Sequence, residues 1–173
     1  MKKSNIALIG FMGTGKTVIG ARLAERLDKK FMEMDELIVQ KAGKSIPDIF
    51  AEDGEIRFRE YEIQICKEVS QKREVVIACG GGVVLNKINI DYLKQSSIII
   101  CLYTSSEIIL QRISKDGKET RPLLNKPDPL AEIHRLLEFR APFYNAATEY
   151  QIDTSNLNVD EVMEKICEIY DSD

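Results

Sequence analysis

Residues 10–17 read Gly-Phe-Met-Gly-Thr-Gly-Lys-Thr, and this stretch decides the architecture. It satisfies G-x-x-x-x-G-K-[ST] at every fixed position. On average composition the pattern arises by chance at about 4 × 10⁻⁵ per site, or under about 1% over a chain of this size. Its surroundings agree: the apolar run Ile6–Ile9 precedes it, and a helical stripe of Val18/Ile19, Leu23 and Leu27 follows. Strand, glycine turn and helix together aim successive backbone N–H groups at phosphate oxygens, at the positive end of the helix. Gly10, Gly13 and Gly15 allow positive φ and close backbone approach. Lys16 would reach the outer phosphates of a nucleoside triphosphate, and Thr17 would offer its hydroxyl to Mg²⁺. The expected phosphate contacts are Gly10, Met12, Gly13, Thr14, Gly15, Lys16, Thr17 and Val18.

Outward from this loop, further apolar runs occur at Val75–Cys79 and Ile98–Tyr103, with weaker ones near Phe31 and Tyr150. They lack in-and-out alternation, which predicts strands of a parallel sheet buried on both faces. Between them the apolar spacing is helical, as in Phe58, Tyr61, Ile65 and Val69, and again in Val159, Val162, Met163 and Ile166. Strand alternating with helix predicts a doubly wound α/β fold of three layers, α/β/α. In such sheets ligands sit at the carboxyl ends of the strands. Three places should therefore meet at one crevice: the loop at 10–17, Glu33-Met34-Asp35, and Gly80-Gly81-Gly82.

Asp35 is suited to accept a proton or hydrogen bond from an acceptor hydroxyl, and Glu33 to hold Mg²⁺ through a water. Both acids are equally suited to begin a helix, where they favour its dipole. No apolar run ends in the aspartate that usually serves the metal in such loops, which turns attention to Glu33. Three consecutive glycines after a strand suggest close approach of a ligand to bare backbone, against a plain flexible turn. Among the arginines, Arg22, Arg57 and Arg73 read as solvated. Arg121, before Pro122, lies in a polar stretch from Lys115 to Pro129 that holds three of the five prolines. That stretch is too long for a tight connection and reads as a lid, set at about residues 113–127. A lid arginine would supply charge to a phosphate in transfer. Helical spacing resumes at Leu130, Ile133 and Leu137, and Pro142 is expected to kink or break that helix. His134, the only histidine, reads as a surface residue.

The bulk properties bound the answer. The 173 residues are expected to form one domain, residues 1–173, with a substantial core. A net charge of −4 argues against a nucleic-acid partner. No apolar run is long enough for a membrane span, and the amino terminus does not read as a signal peptide, so the cytoplasm is the expected compartment. Cys66, Cys79, Cys101 and Cys167 form no C-x-x-C pair and read as small core residues of a reducing compartment.

Taken in order, these residues resemble the shikimate kinase family along almost the whole chain. The likeness rests on the loop at 10–17, Met34-Asp35-Glu36-Leu37-Ile38, Gly43-Lys44-Ser45-Ile46, Ile49-Phe50 through Gly54-Glu55, Phe58-Arg59, Gly80-Gly81-Gly82, Arg121-Pro122-Leu123-Leu124 and Arg140-Ala141-Pro142-Phe143-Tyr144. The resemblance implies five parallel strands with flanking helices and a closing lid. It implies transfer of the γ-phosphoryl group of ATP, with Mg²⁺, to the 3-hydroxyl of shikimate in chorismate biosynthesis, by a monomeric enzyme. Lys16, Asp35 and Arg121 would be catalytic. Asp35 would bind the acceptor hydroxyls, Arg59 and Arg140 its carboxylate, and Gly80, Gly81 and Gly82 its body through backbone. Thr17 and Glu33 would serve the metal, and Arg112 and Arg121 the nucleotide. Two departures stand out. Glu33-Met34-Asp35 replaces the family's usual Asp-x-Asp, and the loop Asp153-Thr154-Ser155-Asn156 lacks the basic residue that some members carry next.

Overall fold

The computed structural model describes residues 3–115, 126–148 and 150–173. Arg121 and most of the expected lid lie outside the described residues. Five strands form one parallel sheet in the order β2-β3-β1-β4-β5. They are β1 (Asn5–Ile9), β2 (Lys30–Glu33), β3 (Val75–Ala78), β4 (Ser97–Tyr103) and β5 (Tyr150–Asp153). The helices are α1 (Lys16–Arg26), α2 (Met34–Ala42), a short turn α3 (Ile46–Asp48), α4 (Gly54–Ser70), α5 (Lys87–Lys94), α6 (Ser106–Lys115), α7 (Pro129–Ala147) and α8 (Val159–Ser172). A π-helical turn, Ile49–Asp53, joins α3 to α4, and a 3₁₀ turn, Val83–Leu85, precedes α5.

The central strand shows why alternation is absent from the sequence. Ile6 and Leu8 of β1 pack with Val76, Ile98, Ile100 and Leu102 against Ile19 and Leu23 of α1 and Val162, Met163 and Ile166 of α8. Ala7 and Ile9 point the other way, with Ile77, Ile99 and Cys101, against Met34, Ile38, Phe58, Ile65 and Val69. A strand covered on both sides gains by being apolar at every position. The register sets Leu8 beside Ala78 and Ile100, so the ends of β3 and β4 flank the loop that follows β1. A third cluster, Phe11, Ile109, Ile113 and Ile133, packs α6 and α7 under that loop.

Two expectations need correction. Val18 does not share the buried stripe of α1; it is 56% exposed, while Ile19 and Leu23 carry the stripe into the core and Leu27 packs at its edge. Of the kink or break expected at Pro142, the break does not occur: α7 runs on to Ala147. Proline removes one backbone donor and crowds the carbonyl four residues earlier. Here the last turn is held from outside: Tyr144 is buried and donates its hydroxyl to the carbonyl of Gly81 at 2.6 Å, and Ala147 is buried against the sheet.

Among the described residues, no helix is long and apolar enough to cross a membrane. Cys66, Cys79 and Cys101 are buried free thiols, and burial raises the pKa of each.

Candidate active site

The phosphate loop is shaped by its glycines. Gly10, Gly13 and Gly15 have φ of 142°, 76° and 96°, conformations that side chains with a Cβ avoid. At Gly10 the constraint is also spatial, since a Cβ would fall 2.1 Å from the carbonyl oxygen of Leu102. Gly15 is the N-cap of α1 and no side chain caps that helix. Its first-turn N–H groups therefore face the cleft, where an anion would satisfy them. Thr14 is buried, and its hydroxyl donates to the carbonyl of Phe11 at 2.8 Å. Lys16 donates to the same carbonyl at 2.8 Å. Burial lowers the pKa of Lys16 to about 8, opposed by the nearby charges of Asp35 and Glu33. The cradle thus holds a desolvated cation beside a row of backbone donors, an environment that favours arrival of phosphate charge.

The three expected strand ends do meet. Met12, Gly13, Gly15, Lys16, Thr17, Val18, Glu33, Asp35, Gly80, Gly81 and Arg112 line one cleft of about 400 Å³ at the carboxyl edge of the sheet. A groove of similar volume, about 410 Å³, lies at the opposite edge between Lys3, Lys94, Ile98 and Tyr150. That groove has no phosphate loop, so the chemistry belongs to the first. Within it, Thr17 donates its hydroxyl to Glu33 Oε2 at 2.7 Å. The pKa of Glu33 is raised, chiefly by burial and partly by Asp35, while the Thr17 hydroxyl opposes the shift. One hydroxyl and one carboxylate make an all-oxygen donor pair. Among the described residues, no group of three or more His, Cys, Asp or Glu could hold a metal. This combination fits Mg²⁺, which keeps several waters and leans on substrate phosphates.

Opposite the cradle, the glycine loop is a narrow place between side chains. A Cβ at Gly80 would lie 3.0 Å from Asp35 Oδ1, and one at Gly81 would lie 3.5 Å from Arg140 Nη1 and 3.6 Å from the amide nitrogen of Met12. At Gly82 it would meet Arg59 Nη1 at 2.6 Å. Asp35, Arg59 and Arg140 therefore surround the same bare backbone that touches the phosphate loop. The guanidinium of Arg140 lies over the ring of Phe11, 5.3 Å from its centre, and its buried Nε has no partner among the described residues. An unpaired, buried Arg nitrogen points to an anion that completes it.

One expected residue lies on the nucleotide side of the cleft. Arg112 of α6 donates to the carbonyl of Gly13 at 3.1 Å and to the hydroxyl and carbonyl of Thr154 at 3.1 and 2.9 Å. It fastens the phosphate loop to the turn after β5, beside a small apolar pocket of Val18, Ile19, Leu157 and Val159. Arg22 and Arg57 are solvent-exposed and pair with Asp160 and Glu60, as expected of solvated groups. His134 is exposed, its Nε2 2.9 Å from the Ser106 hydroxyl.

Sequence reasoning missed Glu62. It lies one turn from Arg59 on α4, is 1% exposed, and contacts Arg59 Nη1 at 3.1 and 3.2 Å through its two oxygens. Burial raises its pKa, with Arg59 as the main opposing influence. The signal was present: position 62 falls between Phe58 and Ile65, inside the apolar stripe, where a carboxylate survives only with a partner. The ring of Phe11 under Arg140 left no such signal, because a variable position of the loop says nothing about what crosses above it.

Comparison with known proteins agrees with this geometry. A family model described as shikimate kinase matches residues 12–171. The chain is 42% identical over 162 residues to the shikimate kinase of Pelotomaculum thermopropionicum, covering 94% of this chain and 92% of that one. It is 43% identical over 166 residues to that of Caldicellulosiruptor bescii, covering 96% and 95%. The solved shikimate kinase of Acinetobacter baumannii in complex with shikimate superposes with a TM-score of 0.91 at 37% identity, covering 98% of this chain and 94% of that chain.

Proposed function

The chain belongs to the shikimate kinase family, and on that premise we propose that residues 1–173 form one kinase domain that moves the γ-phosphoryl group of ATP to the 3-hydroxyl of shikimate. Phosphoryl transfer asks a protein for positioning and charge more than for covalent chemistry. The phosphate loop supplies backbone donors and Lys16, whose ammonium exchanges the carbonyl of Phe11 for phosphate oxygen. The Thr17 hydroxyl would hold Mg²⁺ directly, and the Glu33 carboxylate would hold it through water. Glu33 is one methylene longer than the family's usual aspartate, and its bond to Thr17 keeps it at the metal side of the cleft. Held there, Mg²⁺ would offset the charge that develops on the phosphate oxygens.

Asp35 orients the attacking hydroxyl and receives its proton. Arg59 and Arg140 bind the acceptor carboxylate from two sides of the glycine loop, and Gly80–Gly82 let the acceptor ring approach bare backbone. Arg112 anchors the nucleotide side, and Arg121 would close over the transferred group. The observation that carries this reading is the convergence of Asp35, Arg59 and Arg140 on one glycine loop that touches the phosphate cradle. We further take the enzyme to be a cytoplasmic monomer, without a nucleic-acid or membrane partner.

The test is a coupled ADP-release assay with ATP and Mg²⁺, offering shikimate, gluconate or AMP. Turnover with shikimate alone is expected. Turnover with AMP or gluconate instead would discard the acceptor assignments for Arg59, Arg140 and Asp35, and ATP binding without turnover on any acceptor would overturn the enzymatic reading.

A further inference from the structure

Arg59 is held by two carboxylates at once, Glu62 through Nη1 and Glu55 through Nη2 and Nε. Glu62 is buried on the cleft side, whereas Glu55, at 3.2 Å from Nη2, is 65% exposed on the outer side. Arginine is mobile at its far end, so something must bias it inward. Glu62 can do so only if its own carboxylate stays fixed and ionised, and its burial works against ionisation.

The second anchor of Glu62 is Asn89 of α5. Asn89 is fully buried; its amide nitrogen donates to Glu62 Oε2 at 3.3 Å and to the carbonyl of Val83 at 3.1 Å. Val83 directly follows Gly82, the glycine whose missing side chain makes room for the Arg59 guanidinium. One amide group therefore ties the carboxylate that holds Arg59 to the loop that Arg59 faces. The other amide atom, Oδ1, has no partner among the described residues, so donation accounts for the orientation of the side chain.

We propose that Asn89 is a positioning residue for acceptor binding: through Glu62 it holds the Nη1 end of Arg59 beside the glycine loop, while the exposed Glu55 takes only the outer Nη2 and Nε. The proposal rests on the assignment of Arg59 to the acceptor carboxylate. It requires a side chain that donates. Aspartate has the same shape and cannot donate in its ionised form, and it would set a second carboxylate against Glu62.

The experiment compares Asn89→Ala, Asn89→Asp, Arg59→Ala and the double variant Asn89→Ala/Arg59→Ala by steady-state kinetics, with thermal unfolding alongside. Asn89→Ala should raise the shikimate KM roughly tenfold, the size of one hydrogen bond to a charged group. Asn89→Asp should raise it further, while kcat at saturating acceptor and the ATP KM stay near their original values. In the Arg59→Ala background, Asn89→Ala should add nothing to the shikimate KM. An unchanged shikimate KM in both single Asn89 variants, even with a lowered Tm, would make Asn89 structural and overturn the proposal. So would a full additional effect in the double variant. If Asn89→Ala does not fold, Asn89→Ser, which keeps a donor hydroxyl, should fold with a smaller rise in shikimate KM, and no rise there would equally overturn it. Failure of the underlying assignment reads differently: Arg59→Ala itself would leave the shikimate KM unchanged.

Discussion

Gly82 permits a sharp test of the acceptor side. Its φ and ψ of −96° and 1° are open to alanine, so Gly82→Ala adds a methyl group without backbone strain. That methyl carbon would lie 2.6 Å from Nη1, 2.9 Å from Nη2 and 3.2 Å from Cζ of Arg59. Comfortable contact is nearer ~3.5 Å, so the guanidinium must withdraw by roughly 1 Å. Its bonds to Glu62, at 3.1 and 3.2 Å, have little reserve before they fail as hydrogen bonds. The displaced group is the tip of a flexible side chain that keeps its second partner, Glu55, so the fold should survive at a cost of about 1–2 kcal/mol. The consequence should appear in acceptor binding: a rise in shikimate KM of about 10- to 100-fold, or ~1.4–2.7 kcal/mol. The ATP KM should move less than about twofold. Gly43→Ala serves as the control, because nothing lies within 4 Å of its added carbon while its φ is +71°. It should lose roughly 1 kcal/mol of stability and keep both KM values. If Gly82→Ala leaves the shikimate KM where it was, Arg59 does not hold the acceptor. If both KM values rise together, the loop has collapsed and the reasoning from the guanidinium fails.

Other expectations follow from the same geometry. Asp35→Asn should abolish turnover while ATP still binds with near-native affinity by calorimetry; substantial residual kcat would remove Asp35 from the proton path. Arg140→Ala should weaken shikimate binding by about 2–5 kcal/mol, as expected for a desolvated ion pair, and a native shikimate KM in that variant would contradict it. Lys16, lowered to about 8 in the nucleotide-free protein, sheds its proton as pH rises past that value, whereas the unfolded chain keeps it until about 10.5. Between those values the unfolded state binds more protons, so this group makes stability rise with pH in that window. Phosphate charge should restore the proton, so ADP binding at pH near 9 should take up close to one proton. Calorimetry in buffers of different ionisation heat measures this, and equal uptake in Lys16→Met would reject the assignment.

Much of this was legible before any coordinates. The phosphate loop, the doubly buried strands and the helices with clean apolar stripes are local patterns, and local patterns survive folding when neighbouring residues supply the contacts. Asp35 and the three glycines were legible for a topological reason, because strand ends in a parallel sheet converge. What escaped depends on long-range contact. Nothing near Pro142 in sequence announces that Tyr144 will reach the carbonyl of Gly81, 63 positions away, and hold the helix past the proline. Asn89 reads as an ordinary polar residue of α5 until α4 is packed against it. Glu62 lies between these cases: its position on the apolar stripe was a visible conflict, but its resolution required knowing where Arg59 turns.

The strand order has a consequence for how such an enzyme could change. β1 stands in the middle with β3 and β2 on one flank and β4 and β5 on the other. Asp35, Arg59 and the glycine loop come from the first flank, and Arg112 and Thr154 from the second. Arg140 and Tyr144, carried on α7 from the far side, reach across. Selection for a new acceptor could therefore rework one half of the sheet edge and one face of a single helix while the grip on the triphosphate is inherited unaltered.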